Sequence, residues 1–380
     1  MDKTTNGTIL IFTDWYVPGY KAGGPIQSVY NLAQLLSKDF KVRIVTRNTD
    51  LDSQEPYPKI TADTWVQLAE NHEVMYLSQG NINFKTIKQL IKQNTNNTIL
   101  INGLFSFYFS FLPTLLCVAY PVKKVLIAVR GMLHASALSV KPLKKQLFLA
   151  FARGFGLYLK PIMLATNQAE VEEIKRTLGK VKPLIAPNIP AIYKALEPKQ
   201  AANDIFTMAF IGRIAPEKNP LLVLKALKSY TKPAKMIFCG GSIDDHYLSV
   251  FKQEMQQMPG HIQVEYHADM PHSDIQNLLA RIDVMVLPSL GENFGHAIYE
   301  SFVAGVPVII GNNTPWKNIE SKLAGIEIQA DDSEALLAAM SHFSSMDASV
   351  YETWRKGANA LAEEYYSTNN FRQIYLELFS

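Results

Sequence analysis

Two α/β domains, each a doubly wound parallel sheet, are predicted by three features of this 380-residue chain. The length is too great for one ordinary compact core and suits two. Short apolar runs alternate with amphipathic stretches along the whole chain, which is the pattern of parallel strands joined by crossover helices. That alternation breaks once, over Pro187–Asp204, where three prolines and no sustained period mark a linker.

In the first half the expected strands are Ile9–Thr13, Val42–Thr46, Val74–Leu77, Ile99–Ile101, Val125–Val129, Met163–Thr166 and Pro183–Ala186. Helical periodicity fills Pro25–Ser37, Ile82–Gln93, Lys141–Tyr158 and Gln168–Leu178. Beyond the linker, strands at Thr207–Ile211, Lys235–Phe238, Ile262–Tyr266, Val284–Leu287 and Val306–Ile310 alternate with helices at Pro220–Ser229, Asp245–Gln257, Ser273–Ala280 and Ala297–Ala304. Asn219-Pro220 reads as N-cap and first position, Ser273-x-x-Gln276 as a capping box and Gly305 as a helix stop. The expected domains are 1–190 and 205–365. Residues 366–380 form a final helix expected to pack back on the first.

Composition narrows the function classes. With 48% hydrophobic and 19% charged residues the chain is folded rather than disordered, and a net charge of +3 gives no case for nucleic acid. The stretch from Lys141 to Lys160 is nevertheless distinctly basic. Its helix fits either an anionic lipid surface or an ordinary core-facing helix with a solvated basic side. Cys117 and Cys239 lie in apolar runs of different domains, so no disulfide and a reducing, cytoplasmic setting are expected. The polar opening, Met1 to Gly7, lacks the pattern of a signal peptide. Thr98 to Val122 carries no charge and is long enough to span a membrane, but Asn102-Gly103 and Pro113 divide it into strand, turn and helix.

Chemistry concentrates in two strand-end loops of the second half. One, from Pro288 to His296, holds Glu292 between Gly291 and Asn293 and leads into a helix carrying Glu300. Its glycines, Gly291 and Gly295, allow close backbone approach, and the helix-opening amides favour an anion. The other, from Gly212 to Pro220, holds Arg213 and Lys218, cations suited to clamp a diphosphate. A first-turn carboxylate can equally be a dipole partner, and two loop cations can be a solvated turn. Their combination at strand ends favours a ligand site.

Arg213 with Lys218, then Glu292 and Glu300 with seven residues between them, the first of them inside a Pro-Ser-x-x-Glu-x-Phe-Gly run, resemble the retaining GT-B glycosyltransferases of glycosyltransferase family 4. The likeness continues through Ala304-Gly305-Val306-Pro307-Val308-Ile309, Ala186-Pro187-Asn188 and Gly23-Gly24. It implies a GT-B architecture of two Rossmann-like domains facing across a cleft, with 1–190 binding the acceptor and 205–365 the nucleotide-sugar donor. It further implies that Arg213 and Lys218 bind the donor diphosphate, Glu300 the ribose hydroxyls and Glu292 the donor sugar. Backbone at Asn293, Phe294, Gly295 and His296 would line sugar and phosphates, with Gly23-Gly24 closing from the other domain. Asn293 stands where family members more often have Gly. In the stretch matching a family histidine, Arg130-Gly131-Met132-Leu133-His134, either Arg130 or His134 could meet the donor.

The expected reaction is transfer of a sugar from a nucleoside diphosphate sugar to a saccharide or lipid-linked saccharide, with retention, in bacterial surface polysaccharide synthesis. A nucleotide-sugar epimerase of the same architecture and a silent nucleotide-sugar-binding subunit are the alternatives. Asp14-Trp15-Tyr16 at the end of the first strand offers rings either for acceptor sugars or for packing. Asp50-Leu51-Asp52 fits a short metal-binding pattern, but with two clamp cations no metal and no cofactor is expected. Peripheral association with the cytoplasmic membrane face completes the expectations.

Overall fold

A computed structural model describes residues 6–134, 137–138, 142–194 and 205–380. Within it the chain forms two compact units, Met1–Ile189 together with Asn370–Ser380, and Pro190–Asn369. Residues 195–204 of the expected linker and Lys141 of the expected basic helix lie outside the described residues.

Unit 1 is built on an eight-stranded sheet in the order β3-β4-β2-β1-β5-β6-β7-β8. The strands are β1 (Thr8–Phe12), β2 (Lys41–Arg47), β3 (Trp65–Ala69), β4 (His72–Leu77), β5 (Thr98–Asn102), β6 (Lys124–Ala128), β7 (Ile162–Ala165) and β8 (Pro183–Ile185). Every pairing is parallel except β3 with β4. All five residues of β5 are buried, as a central parallel strand covered on both faces requires. The crossovers are α1 (Gly24–Leu36), α2 (Phe84–Gln93), α3 (Leu112–Ala119), α4 (Pro142–Gly154) and α5 (Gln168–Leu178). The apolar run beginning at Thr98 is thus β5, a π-helical turn at Phe107–Phe111 and α3. Among the described residues no helix is long and apolar enough to cross a membrane.

Unit 2 carries a six-stranded, all-parallel sheet in the order β11-β10-β9-β12-β13-β14. Its strands are β9 (Phe206–Ile211), β10 (Ala234–Cys239), β11 (Ile262–His267), β12 (Val284–Leu287), β13 (Val308–Gly311) and β14 (Gly325–Ile328). Numbered from β9, this is the 3-2-1-4-5-6 order of a Rossmann sheet, whose direction of winding reverses between β9 and β12. In unit 1 the reversal falls between β1 and β5. The helices are α6 (Pro220–Lys228), α7 (Asp245–Met255), α8 (His272–Leu279), α9 (His296–Val303), α10 (Ser333–Ser344) and α11 (Ala348–Thr368), with α12 (Phe371–Phe379) returning to unit 1.

Several local expectations need correction. Ser273 opens no capping box: Pro271 is the N-cap of α8, His272 is its first residue, and no side chain caps it. Asn219 is the N-cap of α6 but in a left-handed conformation, and its amide donates to the Ala330 carbonyl instead of capping. Edge strand β3, edge strand β14 and helix α10 have no counterpart among the expected elements. Both cysteines are buried and unpaired, and burial pushes each thiol up to about 12.

Candidate donor and acceptor sites

The loops after β9 and β12 flank the reversal point of the second sheet, so their side chains converge by topology. Backbone economy brings them close. Gly240, after β10, has φ near +137°, and a Cβ there would stand 2.3 Å from the Gly212 carbonyl oxygen. Gly311 likewise leaves no room, since a Cβ would lie 2.2 Å from the Ser289 oxygen. The two loops are tied directly, because Ser289 Oγ and the Leu290 amide both donate to the Glu217 carbonyl, at 3.0 and 2.9 Å.

Upon this scaffold, Lys218 Nζ lies 2.5 Å from Glu292 Oε1, with only 8% of the Glu292 side chain exposed. Arg213 donates to Glu217 Oε1 at 2.8 Å and is 40% exposed, so it is free to turn toward a ligand. Glu300, in α9, accepts from His272 Nε2 at 3.0 Å. That hydrogen bond, with the charge of Glu300, raises the His272 pKa above the ordinary histidine value. Arg213, Lys218 and Glu292 thus each have an opposite charge beside them, and Glu300 has a titratable histidine. Charges held together in this way keep a largely fixed arrangement while any anionic ligand is absent.

The segment between Glu292 and Glu300 is fixed from below. The Phe294 side chain is buried against Trp316, Tyr299 and Tyr365, and Trp316 Nε1 donates to the Phe294 carbonyl at 2.6 Å. Only the Phe294 backbone can therefore face a ligand. Gly295, at φ 77°, is the N-cap of α9, no side chain caps that helix, and the His296 ring rests edge-on against Phe294. Asn293 is half-buried beside them. His272, Glu217 and Trp316 were missed from sequence: His272 and Trp316 stand in no motif, and Glu217, although in the Gly212–Pro220 loop, is outshone by the cations on either side of it.

In unit 1, Asp14, Trp15, Phe105, Ser106, Ser110 and Lys145 help line a cavity of about 370 Å³ at the β1/β5 reversal point. Asp14 Oδ1 accepts from Arg47 at 2.7 Å and from Ser106 Oγ at 2.8 Å, and the Arg47 guanidinium lies 5.2 Å from the Trp15 ring centre. Trp15 Nε1 and Ser110 Oγ are buried without a hydrogen-bond partner. Buried donors in that state normally find a ligand or water. Tyr16 does not belong with them: it is wholly buried and its hydroxyl pairs with His72 Nε2 at 3.0 Å, so it is a core residue with no face for a sugar.

Arg130, at φ 56°, donates to Asn102 Oδ1 at 3.2 Å and also to Asn188. The turn after it is held by buried Glu170, whose carboxylate accepts from the amides of Gly131 and Thr166. His134, 43% exposed, has its Nε2 4.0 Å from Glu173. Gly23, at φ 64°, is the N-cap of α1 and Gly24 its first residue. Asp50 organises the preceding loop, accepting from the amides of Tyr20, Lys21 and Leu51.

Residues 194–360 match the family described as "Glycosyl transferases group 1". The matched segment lies within unit 2. Among curated proteins, the chain is 31% identical over 150 residues to UDP-Gal:alpha-D-GlcNAc-diphosphoundecaprenol alpha-1,3-galactosyltransferase of Escherichia coli, over 36% of this chain and 35% of that one. It is 24% identical over 108 residues to D-inositol 3-phosphate glycosyltransferase of Corynebacterium glutamicum, over 27% and 26%. The matched segments thus span about a third of those relatives or less. Among solved structures, sucrose-phosphate synthase from Thermosynechococcus elongatus superposes with TM-score 0.73 at 16% identity, covering 98% of this chain and 99% of that one. Anabaena HepE in complex with UDP-glucose gives 0.72 at 14%, covering 98% of each. The whole-chain likeness places the fold in the GT-B architecture.

Proposed function

We propose that the group 1 domain binds a nucleoside diphosphate sugar and that the protein transfers its glycosyl group, with retention, to a saccharide or lipid-linked saccharide. The observation that carries this reading is the meeting of Lys218 with Glu292, and of His272 with Glu300, at the ligand-binding end of a Rossmann sheet. A diphosphate would compete with Glu217 for Arg213 and with Glu292 for Lys218, placing two cations on the leaving group where charge develops. Glu292, relieved of its partner, would turn to hydroxyls of the donor sugar. Glu300 would accept from ribose hydroxyls through the oxygen not engaged by His272, and the uncapped start of α9 would lie along the phosphates.

With the phosphates held by fixed cations, the reading assigns no metal or cofactor to the reaction. The 370 Å³ cavity of unit 1 is the acceptor pocket on this reading, with Asp14 as its polar anchor and Trp15 as an indole wall. The uridine nucleotides and the lipid-linked acceptor named for relatives make a UDP-sugar and a polysaccharide precursor the first pair to try.

The test is release of nucleoside diphosphate from a panel of nucleotide sugars, with and without saccharide acceptors, read together with product anomeric configuration by nuclear magnetic resonance. Acceptor-dependent release with retention supports the reading. Conversion of donor without acceptor would instead identify an epimerase, and binding without turnover a silent subunit.

A further inference from the structure

The cavity of unit 1 opens beside a surface with an unusual composition. Between Glu73 and Glu170 the chain has no aspartate or glutamate, although an even spread of its 34 acidic residues would place about nine there. The same stretch contains eleven lysines and arginines. It includes α2, the π-helical turn, α3 and α4, which link β4 to β5, β5 to β6 and β6 to β7. All three crossovers step across the sheet in one direction, and right-handed connection therefore puts them on one face. The opposite step, β1 to β2, sends α1 to the other face.

The outer side of this layer is apolar as well as basic. Leu143, Leu147 and Phe151 repeat every four residues along α4 at 74%, 72% and 45% exposure, and Phe155 and Leu159 continue the series at 76% and 62%. Phe107 of the π-helical turn is 57% exposed. These are not scattered residues. Phe107, Phe111, Phe151 and Phe155 form a chain of ring contacts with centroid separations of 5.7, 6.1 and 4.4 Å. A branch from Phe111 through Phe148 to Phe105, at 5.6 Å per step, ends in the cavity wall. Lys144, Arg153 and Lys160 are exposed around the patch, and Lys145 lies over Phe105 at the cavity with its Nζ 5.2 Å from the ring centre.

We propose that this face of unit 1 docks on a bilayer containing anionic lipid, with the α4 stripe in the interface and the cavity held at the membrane edge. Exposed aromatic and leucine side chains on a helix gain free energy by entering the acyl boundary, while cations spaced around them meet lipid phosphates. Each such cation near an anionic leaflet contributes about 1 kcal/mol, and α2, α3 and α4 carry no acidic residue to offset it. A second copy of the same face is a poor occupant, because two surfaces on which α2 and α4 carry cations, and α2, α3 and α4 no acid, repel. The surface is read from unit 1 alone and does not depend on the donor assignment.

The experiment is cosedimentation of the full chain with phosphatidylcholine vesicles, with and without about 30 mol% phosphatidylglycerol. Binding is expected only with phosphatidylglycerol, and is expected to weaken as salt rises. Leu147→Glu with Phe155→Glu, and separately Lys144→Glu with Arg153→Glu, should each lower the partition coefficient at least about tenfold without changing the melting temperature. Wild-type protein that ignores phosphatidylglycerol vesicles, or either double variant binding as wild type does, would overturn the proposal. So would a dimer in sedimentation velocity that Leu147→Glu dissociates while vesicles remain unbound. A missing nucleotide-induced melting shift would count against the donor site and leave the vesicle result standing.

Discussion

At the residue scale, the two cations proposed to clamp a diphosphate differ in what surrounds them, and their variants should differ too. Arg213 pairs with Glu217 at the surface, so Arg213→Ala should change stability by no more than about 0.5 kcal/mol while lowering transfer at saturating donor at least about tenfold. Lys218→Ala should lose transfer similarly, but it strands the mostly buried Glu292 carboxylate and should also lower the unfolding free energy by about 1–3 kcal/mol. Steady-state kinetics beside urea denaturation separates the two effects. Wild-type turnover in Arg213→Ala would remove the clamp.

His272 adds a pH term. Its pKa is raised in the folded chain, so its contribution is fully present below the ordinary histidine pKa of about 6.5 and is lost as pH rises through the folded value. The melting temperature of wild type should therefore exceed that of His272→Gln by most below the ordinary histidine pKa of about 6.5, with the gap closing as pH rises above it through the raised folded value. A gap that is flat with pH would show that the pair does not titrate. Arg213, Lys218 and Glu292 stand out as candidates in the sequence because they sit in loops at strand ends, and Glu300 because it follows the second of those loops. Glu217 lies four residues from its partner Arg213 in one loop but carries no signal of its own, and His272 carries none because only the fold brings it to Glu300. Tyr16 misled because a ring next to a strand end looks the same whether it points in or out.

At the element scale, the site is made by where strands stop and how closely their loops pass. Gly240 combines a positive φ with a Cβ position inside van der Waals range of the Gly212 carbonyl. Gly240→Ala should cost about 2–4 kcal/mol in denaturant unfolding and weaken nucleotide binding, because the loop bearing Arg213 must shift. Loss of stability without any change in binding would separate that loop from the site. Buried parallel strands were legible because their apolar runs are nearly continuous. Strand β3 was not: it pairs antiparallel at a sheet edge and is largely exposed, so Trp65–Ala69 carries no inward-facing run. Strand β14 has only four residues and opens on Gly325, which a strand pattern disfavours. The false capping box at Ser273 arose because Pro271, fixed in φ, starts α8 one residue earlier than the serine suggests.

At the scale of the whole molecule, the chain crosses between its two units twice, and the second crossing puts α12 in unit 1. Phe371, Tyr375, Leu378 and Phe379 are buried, Phe379 meets Phe40 at 6.5 Å, and Arg372 pairs with Asp39 at 2.6 Å. Removing residues 370–380 should lower the stability of unit 1 by at least about 3 kcal/mol, seen as an earlier calorimetric transition, while nucleotide still raises the transition of unit 2. A single transition lowered as a whole would show that the units do not unfold separately. The two-domain class was legible at this scale from length and alternation alone. The return of the C-terminal helix stands among the expectations for residues 366–380, but the side chains that seat it, Phe371, Tyr375, Leu378 and Phe379, are a matter of packing that period and composition do not encode.

Unit 2 is proposed to hold a nucleoside diphosphate on Arg213 and Lys218 with its ribose at Glu300. A crystal structure with uridine diphosphate bound is the decisive experiment. The β-phosphate is expected within hydrogen-bond distance of Lys218 Nζ and the Arg213 guanidinium, with both ribose hydroxyls on the Glu300 carboxylate, and with the Lys218–Glu292 contact opened. A diphosphate bound elsewhere, or a ribose that leaves Glu300 paired with His272 alone, would contradict the account.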